Sequence, residues 1–96
     1  MKLNIHAINF EMADKLNAYI EKKTKRLEKQ LPENAELEIR MTVIKKETAL
    51  NKETQVRIHG VGQELFAEKV CDTFEQGLDE ALAALDRPLE KLKDKK

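Results

Sequence analysis

Two short stretches of this chain are rich in cations. Lys22, Lys23, Lys25, Arg26 and Lys29 crowd the first. Arg87, Lys91, Lys93, Lys95 and Lys96 crowd the last ten residues, against only Glu90 and Asp94. Clustered lysine and arginine neutralise phosphates and release condensed counterions, which is how proteins hold a nucleic-acid backbone. The same residues also serve as the solvated faces of amphipathic helices. Cations near a helix C-terminus are favoured by the macrodipole, at about 0.3–1 kcal/mol each. With 18 basic and 18 acidic residues the formal net charge is zero, which argues against simple adhesion to a polyanion. The distribution of charge therefore decides between the two readings.

Other chemistry is thin. His6 and His59 fall on outward positions of two separate strands. With Cys71 they make a poor metal site, because structural zinc takes four ligands at close spacing. No histidine is placed to activate Cys71, and a structural role fits it better. The carboxylates form no acid-base pattern, and no glycine loop cradles a phosphate. No enzyme, cofactor, metal or small-molecule substrate is expected. The aromatics are Phe10, Tyr19, Phe66 and Phe74, too few for a base-stacking sheet, so any RNA binding rests on phosphates and shape.

Ninety-six residues read as one domain, 1–96, long enough to bury a core unaided. The hydrophobic fraction is 41% and the charged fraction 38%, which implies a heavily charged surface. No apolar run approaches membrane-spanning length, and strand-like alternation from Met1 leaves no room for a signal peptide. A single cysteine fits a reducing cytoplasm.

The cations must be positioned by local elements. "MKLNIHAI" alternates Leu3, Ile5 and Ala7 against Lys2, Asn4 and His6, a strand with one buried face. Asn9 to Met12 connect. From about Ala13 to Lys29, Leu16, Ile20 and Leu27 recur at helical spacing with Ala13 on their stripe. Pro32 ends that helix. "AELEIRMTVIKK" alternates again, "KETALNKE" is a polar loop, and "TQVRIHG" is a third strand. "GVG" turns into a short fourth strand, "ELFAEK". The last helix is predicted to start near Val70, with Val70, Phe74, Leu78, Leu82, Leu85, Leu89 and Leu92 as its stripe and Asp72 at its positive end.

The order predicts an α+β fold, β-α-β-β-β-α. A four-stranded mixed sheet carries two parallel helices on one face, like a double-stranded-RNA-binding domain. A crossover helix makes the first two strands parallel neighbours, and the rest form an antiparallel meander. Each strand is apolar on one side only, so both helices cover a single face. Counting directions brings the C-terminal ends of both helices, and both cationic clusters, to one end. Acidic residues are expected around the start of the second helix: Glu64, Glu68, Asp72, Glu75, Asp79 and Glu80. Convergence of two clusters favours a binding surface over mere solvation.

Two stretches, "LNIHAINFEMADKLNAYIEKKTKRLEK" and "VRIHGVGQELFAEKVCDTFEQGLDEAL", carry a resemblance to the ribosome hibernation-promoting factors, also called ribosome-associated translation inhibitors. The resemblance runs end to end. It implies binding to the small ribosomal subunit, through ribosomal RNA, in the channel used by messenger and transfer RNA. It also implies a block on translation, and it makes this chain look like the short form without a pairing domain. Family basic positions match Lys23, Arg26, Arg87 and Lys91, and Lys93 fits a further one. Ala84 stands where the family usually has lysine and Pro88 where it usually has glutamine. Pro88 predicts a distortion between Ala84 and Leu89, with helix resuming for a turn or two. The expected RNA-binding set is Lys22, Lys23, Lys25, Arg26, Lys29, Arg87, Lys91 and Lys93, with no membrane partner. Two alternatives remain: a module for another structured RNA, and a protein-interaction module that has lost RNA binding.

Overall fold

The computed structural model describes residues 1–44, 50–60 and 62–94, with 92–94 described as helix backbone alone. The elements are β1 (Lys2–Ile8), α1 (Asp14–Glu28), β2 (Glu36–Val43), β3 (Lys52–His59), β4 (Leu65–Cys71) and α2 (Phe74–Asp94). The sheet order is β1-β2-β3-β4. β1 and β2 run parallel, with Ile5 beside Ile39, and the other pairs are antiparallel. This is the expected β-α-β-β-β-α mixed sheet.

Period-two alternation sends Leu37, Ile39, Met41, Val56, Ile58, Leu65 and Ala67 to one face, where all are buried. Leu16, Ile20 and Leu27 of α1 and Phe74, Leu78, Ala81, Leu85 and Leu89 of α2 close over them. Both helices therefore cover the same sheet face. Leu3 and Ile5 pack against this core only in part, because β1 is an edge strand, and Ala7 is exposed rather than inward-packed.

Two threonines complete the core where polarity hid them. Thr24 fills the turn of α1 between Ile20 and Leu27, its hydroxyl donating to the carbonyl of Glu21 at 3.2 Å. Thr54 is fully buried on β3, and its Oγ1 has no hydrogen-bond partner among the described residues. Gly77 of α2 lies directly over it. A Cβ at Gly77 would meet Thr54 Oγ1 at 2.7 Å, so the helix sits this close only because residue 77 has no side chain. In the turn after β3, Gly60 adopts φ +85°, where a Cβ would also meet the Asn34 carbonyl oxygen at 3.0 Å.

The second helix begins at Phe74, not near Val70. Val70 and Cys71 belong to β4, with Val70 opposite Glu53 and Cys71 opposite Lys52. The four-residue step from Val70 to Phe74 imitates a helical stripe, but the alternation of Leu65, Ala67 and Cys71 inward continues past it. Val70 points outward and is exposed. Thr73 starts the helix instead, its Oγ1 accepting the Gln76 amide at 3.1 Å. Asp72 lies ahead of α2 and accepts the Leu50 amide at 2.8 Å.

At the other end α2 runs unbroken through Pro88 to Asp94. Proline in a helix interior costs about 3 kcal/mol. Leu85 and Leu89 are both buried on either side of it, at about 1.5–3 kcal/mol each, so burial carries the helix across. Lys45, read as part of the second strand, and Lys46 to Ala49 of the sequence-predicted loop lie outside the described residues, as do Val61 in the turn and Lys95 and Lys96 in the tail. The side chains of Leu92 and Lys93 lie outside them too.

Candidate nucleic-acid interface

The two helices run in the same direction. Tyr19 and Lys23 of α1 meet Asp79 of α2, and farther along Arg26, Leu27 and Gln30 face Leu82, Ala83 and Asp86. Residue numbers rise together on both sides, which only parallel helices permit. Between them lies an open groove of about 260 Å³.

At about 3.6 residues per turn, the cations of α1 divide between two faces. Lys22, Lys25 and Lys29 project away from the core and are exposed. Arg26, also exposed, lines the groove beside Lys23. On α2, Arg87 and Lys91 stand one turn apart and exposed, farther round the helix than the groove wall. Among the described residues, none of Lys22, Lys25, Arg26, Lys29, Arg87 or Lys91 is held in an ion pair. These side chains are available to an anion.

Lys23 is the exception. Its Nζ lies 3.4 Å from Asp79 Oδ1 and 5.3 Å from the centre of the Tyr19 ring. Tyr19 in turn donates its hydroxyl hydrogen to Asp79 Oδ2 at 2.6 Å. That bond, together with burial and the nearby carboxylates, pushes the Tyr19 phenol up to about 12. Asp79 and Asp86 are thus part of the basic end, and the expected separation of acidic from basic residues is incomplete. The wall contributed by α1 is cationic and the wall contributed by α2 is anionic. The sequence missed Tyr19 and Asp79, since only the register between two distant helices brings them together.

The outer sheet face carries polar and charged side chains in mutual contact. Arg57 Nε meets Glu64 at 2.9 Å and its guanidinium lies 5.2 Å from the Phe66 ring centre, while Gln55 donates to Glu68 at 3.0 Å. His59 lies 3.6 Å from Glu64 and His6 4.0 Å from Glu38. Phe66 is exposed here, as the alternation of β4 predicts. Cys71 is buried and its thiol donates to Glu80 at 3.0 Å, which with burial pushes its pKa up to about 11. Such a thiol is a poor nucleophile. Among the described residues, no group of three or more His, Cys, Asp or Glu side chains is arranged to hold a metal ion. None of the described helices is long and apolar enough to cross a membrane.

The fold and site together define an α+β domain with two parallel helices on one sheet face, exposed cations lying toward the C-terminal end of each. The chain belongs to the Sigma 54 modulation protein / S30EA ribosomal protein family, whose model matches residues 3–96. This ribosome-associated family is the one that the sequence resembles. Among solved structures, the fold is similar to a ribosomal subunit interface protein from Coxiella burnetii. That match has 20% identity and a TM-score of 0.80, and covers 99% of this chain and 100% of that one. It is also similar to the Protein Y N-terminal domain of Thermus thermophilus. There the identity is 17% and the TM-score 0.77, over 95% of this chain and 98% of that one. None of the curated proteins matches the sequence.

Proposed function

We propose that residues 1–96 act as one ribosome-binding unit that occupies the messenger and transfer RNA channel of the small subunit and blocks translation. The observation that carries this reading is the set of exposed cations, outside any ion pair among the described residues, toward the C-terminal ends of two parallel helices: Lys22, Lys25 and Arg26 on α1 with Lys29 at its cap, and Arg87 and Lys91 on α2. Lys93 continues this set in sequence. Family membership supplies the ribosome as the partner.

The mechanism is occupancy rather than catalysis. Each exposed cation replaces a condensed counterion on a phosphate, so affinity falls steeply with salt. Phosphate contacts set position and orientation without reading bases, which suits a protein with one exposed phenylalanine and no stacking platform. No cofactor enters this scheme, and its setting is the cytoplasm, where ribosomes work. The block on translation is steric, since a folded domain in the channel excludes messenger and transfer RNA.

Sedimentation of a cell lysate through a sucrose gradient tests the proposal. Co-migration with the small subunit or whole ribosomes is expected, as is loss of translation when purified protein is added to a cell-free system. Migration with other RNA identifies a module for another structured RNA. Migration with protein alone identifies an interaction module.

A further inference from the structure

Lys23 occupies a family basic position, yet its ammonium is committed to the protein by the Asp79 carboxylate at 3.4 Å and by the Tyr19 ring. Asp79 is half exposed, and the Tyr19 hydroxyl fixes its other oxygen at 2.6 Å. A polyanion entering the groove therefore meets a carboxylate of fixed orientation, with a second, Asp86, farther along the same wall. A uniformly basic groove would hold any phosphate backbone, whereas this one withholds a cation and offers a repulsive group.

The geometry points to Asp79 as a specificity-determining residue that acts through Lys23, keeping the inter-helix groove from binding generic RNA. The inference rests on the proposed ribosomal RNA interface and adds to it a residue that is not itself a phosphate contact. Tyr19 serves as the brace that orients the carboxylate. On a subunit surface that matches the groove, the paired Lys23 and Asp79 are accommodated as they stand. On an unrelated duplex, which offers phosphates in every register, they are a net loss of one cation and a gain of one anion.

The experiment measures binding of the full chain to an unrelated RNA duplex and to purified small subunits across a range of salt. The variants are Asp79→Asn, Lys23→Gln with Asp79→Asn, and Tyr19→Phe as a control for packing. The asparagine amide still accepts the Tyr19 hydrogen through its oxygen, so the helices stay joined. Asp79→Asn is expected to tighten duplex binding about two- to fivefold, the worth of one exposed ion pair. It should also steepen the slope of log affinity against log salt by roughly 0.9, one added phosphate contact. Subunit affinity stays unchanged, so preference for the subunit falls, and the double variant loses the gain. Tyr19→Phe, which keeps the carboxylate, leaves the slope unchanged. An unchanged slope in Asp79→Asn, a gain that survives loss of Lys23, or an equal gain on subunits overturns the inference. If the unmodified chain does not bind subunits, the proposed function falls instead, and the duplex series still reports on Asp79.

Discussion

Tyr19 on α1 donates a 2.6 Å hydrogen bond to Asp79 on α2, joining residues 60 apart in the chain. Tyr19 is the one tyrosine, and the chain has no tryptophan, so its ionisation is directly visible by ultraviolet absorbance. The bond favours the neutral phenol and raises its folded pKa to about 12 from an ordinary value of 10.0. The bond's contribution to stability is then fully present below about pH 10 and disappears as pH rises through about 12. Asp79→Ala, which removes the acceptor, should move the titration midpoint back toward 10. A midpoint near 10 in the unmodified protein would show that the two helices are not joined this way.

Charge reversal at Arg26 and Arg87 should release the protein from ribosomes without unfolding it. Both side chains are exposed and outside any ion pair among the described residues, so each change costs no more than about 0.5 kcal/mol. Lys23→Glu is a poorer probe, because it sets two carboxylates against each other beside Asp79 and loosens the helix pair. Sedimentation with ribosomes, paired with a thermal melt of each variant, separates lost binding from lost fold. Full ribosome association by the folded double variant would contradict the assignment.

Gly77→Ala tests the contact between α2 and β3. The added methyl meets Thr54 Oγ1 at 2.7 Å, an overpacking that costs about 1–3 kcal/mol. Alanine also gains roughly 0.5–1 kcal/mol of helix propensity. A net loss is expected in urea denaturation. In a Thr54→Ala background the hydroxyl is gone and only the residue 54 Cβ remains close, at 3.2 Å, so the same substitution should cost less. An equal loss in both backgrounds would mean that the Thr54 hydroxyl is not the obstacle.

Pro88→Gln should raise thermal stability by roughly 1–3 kcal/mol while leaving helix content nearly unchanged. The helix already passes through this position, so glutamine restores an amide donor without adding a turn. Circular dichroism at low temperature and through the melt measures both. A marked gain in helicity would show that α2 is broken in solution.

The sheet was legible because its strands alternate on one face only, and Leu37, Ile39, Met41, Val56 and Ile58 are all inward as that pattern requires. The helix direction followed from counting connections. The start of α2 was not legible, because Val70, Phe74 and Leu78 satisfy a helical period while Leu65, Ala67 and Cys71 satisfy a strand period through the same stretch. Local pattern cannot choose between them, and pairing with β3 does. Lys22, Lys25, Arg26, Lys29, Arg87 and Lys91 could be placed on solvated faces because each lies off an apolar stripe. The partnership of Lys23 with Asp79 could not be read, since it depends on which turns of two helices meet. The burial of Thr24 and Thr54 is not legible either, because a hydroxyl at a core position breaks an apolar pattern without breaking the packing.

The parallel pairing of β1 with β2 sets an order of assembly. Lys2 stands beside Glu36, 34 residues away, whereas Ile58 stands opposite Leu65 only 7 residues on. Contacts between distant residues close larger loops and form later. The β3–β4 hairpin with α2 is therefore expected to organise first, and β1 to add last as an edge strand. Amide hydrogens of β1 should then exchange with solvent faster than those of β3, since the last strand to join is the first to detach. Equal protection of both strands would show instead that the sheet opens and closes as one unit.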